Sequence, residues 1–153
     1  MRLGLRGEKL IKSYETLKFS AYLPTKDDVP TIGWGHTSGV KMGDICTIDQ
    51  AEKWFREDVA WAEEAVNELI DKWKIKLSQS MFDALVSLVF NAGEGAIKPG
   101  STIYRELTNT PFDYYAACQA FLLWRKQKGK DLIGLARRRT KEMVLFLEDD
   151  LPK

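Results

Sequence analysis

Tyr14-Glu15-Thr16, then Ala21-Tyr22, then Val29-Pro30-Thr31-Ile32-Gly33-Trp34-Gly35-His36-Thr37: the reading of this run decides the fold. Leu10, Ile11, Tyr14 and Leu17 recur at helical spacing, so roughly residues 6 to 17 are read as a first helix. Glu15 follows Ile11 by one turn and shares the side of the buried stripe. Residues 20 to 37 break that period. Pro24, Pro30, Gly33, Gly35 and Gly39 bar a helix there and favour a small hairpin sheet with turns. A helix-end carboxylate, an acidic loop and a threonine-bearing strand can line opposite walls of one cleft. Glycoside hydrolysis asks for such a pair of walls, with an acid on one side of the scissile bond and acceptors holding a water on the other.

Outward from this run the chain reads as helices. Thr47 and Gln50 form a capping box that opens a long helix. Ala51, Trp54, Phe55, Val59, Val66 and Ile70 make its apolar side. Ser78 or Ser80 caps the next helix, in which Met81 to Val89 leave little polar perimeter, so it is expected in a core. Asn91-Ala92-Gly93 ends it, with Gly93 as a left-handed cap. Further helices are expected over 101–108, 111–126 and 134–148. Strands are expected only within the first 40 residues, so the class is α+β and mostly helical.

A chain of 153 residues fits one domain. At this size roughly 70% of the unfolded surface can be buried without staples. The 23 Lys and Arg against 22 Asp and Glu give no global basic field, which argues against nucleic acid as a partner. Locally, Arg125, Lys126, Lys128, Lys130, Arg137, Arg138 and Arg139 face a single acid, Asp131. Such a segment is either a solvated face or an attraction for an anionic polymer. Cys46 and Cys118 are too few for a disulfide framework and are expected reduced. One histidine and no Cys-x-x-Cys pair give no metal site. No secretory signal is read in Met1-Arg2-Leu3-Gly4-Leu5-Arg6, and no apolar run approaches the ~20 residues of a span, so no stable membrane association is expected.

The order of these features resembles the phage-type lysozymes, the muramidase endolysins. Glu15 and the Thr31-to-Thr37 strand carry the likeness first. Gln79 to Gly95, with Phe90-Asn91-Ala92-Gly93, is similar to that family's central helix and its end. Gly100-Ser101-Thr102, Phe121 to Trp124, Gly134-Leu135 and Arg137-Arg138-Arg139 through Glu142 continue it. The resemblance implies a two-lobed lysozyme fold in a single domain over 1–153. A small lobe would cover about 12–60, and a helical lobe about 61–153 plus the N-terminal helix. It implies an inverting hydrolase that cuts the β-1,4 bond between N-acetylmuramic acid and N-acetylglucosamine, without a cofactor. Peptidoglycan glycan strands would be the partner of a monomer that waits in the host cytoplasm until a holin opens the inner membrane. The alternatives are a non-catalytic wall-binding or scaffold domain on the same fold, and a virion-associated wall-penetrating lysozyme.

Site residues follow from both lines. Glu15 is the general acid; burial against Ile11, Tyr14 and the aromatic strand would raise its pKa by disfavouring the charged form. Thr31 faces the cleft and orients water. The resemblance implies an acid between them, yet the usual positions hold Pro24 and Thr25, and the loop carries one extra residue. Asp27 and Asp28 lie beside the vacant place. Asp27 shares strand parity with Val29 and Thr31, which slightly favours it; Asp28 occupies a turn position. His36 is read as a structural hydrogen-bonding residue. Trp34 offers an indole face for a sugar. Phe90 and Asn91 match the family's sugar-contacting pair, and Arg137 and Arg138 its C-terminal basic pair, one of which meets the peptide stem or acidic groups.

Overall fold

Helix α1 runs from Leu5 to Lys12 and ends earlier than its periodicity predicts. Beyond Lys12 the chain tightens: Tyr14 N–H bonds the Ile11 carbonyl at 3.0 Å and Glu15 N–H the Lys12 carbonyl at 3.1 Å. Glu15 therefore sits in a turn just past the helix. The coordinates, a computed structural model, describe residues 1–150. They divide into a unit of Ile11–Trp61 and a unit of Met1–Leu10 with the chain from Ala62 onward.

In the smaller unit, β1 (Lys18–Tyr22) and β2 (Thr31–Gly33) pair antiparallel, with Tyr22 opposite Thr31 and Lys18 opposite Gly33. The register slips between those two pairs, as at a bulge. The other edge of β1 is also used: Ala21 N–H bonds Asp44 carbonyl at 2.9 Å and Cys46 N–H bonds Phe19 carbonyl at 2.8 Å. Behind β2 a tight turn closes through reciprocal 2.9 Å bonds between Ile32 and His36. Gly33 and Gly35 take φ values of +62° and +89° there, which L side chains rarely adopt. Ile11, Ile32, Ala51, Phe55 and Val59 are buried and form this unit's core. Ala51, Phe55 and Val59 come from α2 (Ile48–Trp73). The capping box at its start is present: Gln50 N–H bonds Thr47 Oγ1 at 3.2 Å, and Thr47 N–H bonds Gln50 Oε1 at 2.8 Å.

The larger unit is built round α3 (Gln79–Ala92), in which every residue from Ser80 to Val89 is buried. Ser78 caps it, its hydroxyl accepting from Met81 N–H at 3.2 Å. Gly93 ends it with φ +89° and ψ 166°, a glycine-only conformation but not the left-handed helical one. Helices α4 (Thr102–Thr108), α5 (Tyr114–Gln119) and α6 (Ile133–Phe146) complete the bundle. The single helix expected over 111–126 is two pieces, α5 and a 3₁₀ segment Ala120–Trp124. Phe121 from that segment meets Phe146 of α6 edge-on at 5.4 Å. Burying each such large side chain stabilises by roughly 1.5–3 kcal/mol.

Strands are not confined to the first 40 residues. A two-stranded ladder joins β3 (Lys126–Gln127) and β4 (Lys130–Asp131). Its turn places Lys128 and Gly129 at positive φ, the geometry that matches strand twist. A lysine in place of the usual Asn or Asp hides that turn from sequence reading.

The start of α1 is tied down by a buried carboxylate. Asp83 on α3 accepts from Gly4 N–H at 2.8 Å and Gly7 N–H at 3.1 Å. It thus satisfies first-turn donors and meets the positive end of the helix dipole. A Cβ at Gly7 would stand 2.7 Å from Asp83 Cβ, so only glycine fits.

Candidate active site

Glu15 is half-buried in the turn after α1. Its carboxylate lies over the backbone of Gly35: a Cβ built there would stand 2.9 Å from Glu15 Oε2. The φ of +89° favours glycine at 35, and a side chain there would also displace the carboxylate above it. Thr31 opens β2 and is only 6% exposed. Its hydroxyl donates to Val29 carbonyl at 3.0 Å. With its proton so directed, Oγ1 presents lone pairs, which is what a water needs if its hydrogens are to be held.

Asp27 and Asp28 are both exposed in the link between β1 and β2. The parity argument for Asp27 fails on geometry, because residues 24–28 are bends and turn rather than strand. Alternation of side chains needs extended backbone and stops where the turn begins. Asp28 is engaged in that turn: its N–H bonds Thr25 carbonyl at 3.1 Å, and its Oδ2 accepts from Thr25 Oγ1 at 3.0 Å. Asp27 sits at the apex beside it.

His36 is 7% exposed and presents Nδ1 to both oxygens of Asp58 at 2.9–3.0 Å. Its ring stacks on Trp54 with 4.7 Å between centroids. It links the Gly-rich turn to α2, as a structural histidine would. Trp34 donates from Nε1 to Glu52 Oε1 at 3.2 Å, and the Lys12 ammonium stands 5.1 Å from its ring centroid. Lys12 also pairs with Glu52. The Lys12 hydrogen bond, with help from Trp34 and against the cost of burial, holds the Glu52 carboxyl below its usual range. Neither Asp58 nor the Lys12–Glu52 pair was singled out from sequence; partners 22 and 40 residues apart leave no local spacing to read.

The remaining candidates belong to the larger unit. Phe90 is half-buried and Asn91 exposed at the end of α3. Arg137 on α6 is exposed, but Arg138 and Arg139 are buried at 5% and 0%. The basic segment is therefore not uniformly a solvated face. Arg138 Nε donates to Glu142 Oε1 at 3.2 Å, and Arg139 Nε faces Glu142 Oε2 at 2.9 Å. Ser87 Oγ donates to Glu142 Oε1 at 2.7 Å. Arg139 also donates from Nη2 to Asn91 Oδ1 at 2.6 Å. Burial pushes the Glu142 carboxyl up, against the pull of Arg139, Ser87 and Arg138. The sequence carried one signal for this cluster, the spacing Arg138, Arg139 and Glu142, which puts i,i+3 and i,i+4 partners on one face of α6. Among the described residues, no group of three or more metal-binding side chains occurs, and no helix is long and apolar enough to cross a membrane.

The chain matches the family model described as phage lysozyme over residues 12–142. It is similar to the endolysin of Salmonella phage P22, with 38% identity over 152 residues, covering 96% of this chain and 99% of the relative. An endolysin of Acyrthosiphon pisum secondary endosymbiont phage 1 is 39% identical over 150 residues, covering 95% of this chain and 98% of its own length. The crystal structure of a P22 lysozyme mutant superposes with a TM-score of 0.81 at 36% identity, covering 96% of this chain and 99% of that one.

Proposed function

The chain belongs to the phage lysozyme family, and we propose how its residues divide that family's chemistry. It is an endolysin, a muramidase that hydrolyses bacterial peptidoglycan. The reading of a non-catalytic domain on the same fold is not favoured. In our scheme the bond cleaved is the β-1,4 link from N-acetylmuramic acid to N-acetylglucosamine, with inversion at the anomeric carbon. Glu15 protonates the leaving oxygen. Thr31, with a carboxylate from the Asp27–Asp28 turn, holds the attacking water on the other face of the sugar. An inverting pair leaves roughly 6.5–9.5 Å between carboxyl groups for that water.

The observation that carries this reading is the Glu15 carboxylate seated over Gly35, where a side chain at 35 would displace it. Of the two aspartates we favour Asp27, because Asp28 is already occupied in the turn with Thr25. Phe90 and Asn91 contact the sugar, and Trp34 offers its indole face to it. Of the basic pair, Arg137 is the exposed member and the one assigned to acidic wall groups. Arg138 contributes through Glu142. The enzyme works as a monomer without stable membrane association, held in the host cytoplasm until a holin releases it to the wall.

The test is clearance of outer-membrane-permeabilised cells by Glu15→Gln. General acid catalysis is typically worth ~10²–10⁴-fold, so lysis should fall by about that factor while the melting temperature holds. A folded Glu15→Gln protein that clears walls at more than about a tenth of the parent rate overturns the assignment.

A further inference from the structure

We propose that Arg139, held by Glu142, is a positioning residue that fixes which end of the Asn91 amide faces substrate. The inference rests on the reading of Asn91 as a sugar contact. An asparagine amide carries an acceptor on one arm and two donors on the other. The two ends look alike, and only the hydrogen-bond network decides between them. Here the network decides without ambiguity. Arg139 Nη2 lies 2.6 Å from Asn91 Oδ1, and a guanidinium has donors only. Oδ1 must therefore face Arg139, and the Nδ2 donors are left for whatever lies beyond the exposed end of α3.

Arg139 cannot turn away. It is fully buried, and Glu142, also fully buried, accepts from its Nη2 at 3.2 Å and stands as counter-charge 2.9 Å from its Nε. Glu142 is fixed in turn by Ser87 at 2.7 Å and Arg138 at 3.2 Å. A chain of charge-assisted bonds thus runs from the helix-packing core to the surface amide. Such a chain loses little entropy when ligand binds, because the donor is already aimed. The ligand group it selects is an acceptor. On an N-acetylated glycan the acetamido carbonyl is a strong neutral one.

Two sets of variants test this. Asn91→Asp keeps an acceptor for Arg139 and replaces the outward donor with an acceptor. It should melt at or above the parent and raise KM for a peptidoglycan fragment by about five- to tenfold, with a smaller change in kcat. Because the buried cluster is untouched, this variant is informative even if changes at Arg139 unfold the protein. An Asn91→Asp protein that melts below Asn91→Ala contradicts the Arg139 contact. Arg139→Lys keeps charge but loses the fork. If Arg139 acts through Asn91, Arg139→Lys should raise KM in the parent and change it by less than about twofold in an Asn91→Ala background. Independent, multiplying effects would make Arg139 merely structural. An Asn91→Ala enzyme with parental KM overturns the sugar contact itself, and the positioning role falls with it, leaving the Glu15 result unaffected.

Discussion

Single residues separate chemistry from scaffolding in the smaller unit. His36 and Thr31 are both buried and five positions apart, yet their bonds differ in kind. His36 is spent on Asp58 and on the Trp54 ring, so His36→Asn should cost about 1–3 kcal/mol of stability with turnover nearly parental. Thermal melting beside a lysis assay checks this; a well-folded His36→Asn protein with turnover down a hundredfold contradicts it. Asp27 and Asp28 should also part company. Asp28→Ala removes the acceptor for Thr25 and should lower stability by up to about 1 kcal/mol while sparing activity. Asp27→Ala should lose most activity and keep its melting temperature. If both single changes and the double change leave lysis near parental, no carboxylate of this turn holds the water. The cysteines give a third contrast at this scale. Burial pushes the Cys118 thiol up to about 11, whereas Cys46 is only half-buried. A thiol reagent at neutral pH should modify one cysteine promptly and Cys118 only on unfolding.

Elements are held by end groups as much as by their faces. The N-cap Ser78 on α3 is ordinary, and Ser78→Ala should cost about 1 kcal/mol. The tie between α1 and Asp83 is not ordinary, because the carboxylate is fully buried and serves two backbone donors. Replacing it leaves those N–H groups without their acceptor, so Asp83→Ala should cost about 2 kcal/mol or more. Gly7→Ala should destabilise too, since its new methyl meets Asp83 and Leu3 at 2.5–2.8 Å. Chemical denaturation of the three variants checks the order, and an Asp83→Ala protein as stable as Ser78→Ala would refute it. The earlier-than-expected end of α1 matters for the same reason: the turn after Lys12, not a helical face, sets where the Glu15 carboxyl points.

For the molecule as a whole, the described carboxylates with displaced titration work in opposite directions with pH. Glu52 is held low by Lys12, and Asp149 by hydrogen bonds from Ser80 and Ser78. A carboxyl lowered in the fold is protonated more readily in the unfolded chain, so its contribution is present above the ordinary value and lost as pH falls through the folded one. The ordinary values are 4.5 and 3.8, which sets the window below about pH 4.5. Glu142 is raised by burial, so its protonated form is favoured in the fold and its contribution grows as pH falls. We expect denaturation midpoints to fall below about pH 4.5, after the gain from Glu142, which is complete near its ordinary value of 4.5. The Glu52→Gln protein should be less stable at neutral pH and lose less on acidification. A Glu52→Gln protein with the parent's full acid limb would refute the attribution to Glu52.

The sequence by itself determined most of this protein. Periodicity marked α2 and the largely buried α3, and Thr47 and the choice of Ser78 or Ser80 marked their starts, because helices and caps depend on neighbours three or four residues away. Proline and glycine marked the β1–β2 hairpin, because φ preferences are local. Glu15 and Thr31 were legible as candidates for a similar reason, one following an apolar stripe and one on a Gly-punctuated strand. Tertiary structure alone decided what distant residues share. It split the 111–126 helix and added the β3–β4 ladder. It also buried Arg138 and Arg139 in a segment that composition reads as surface, by supplying Glu142 and Ser87 as partners. Charge in a sequence says how costly burial would be; only the fold brings in the counter-charge and hydrogen bonds that offset it.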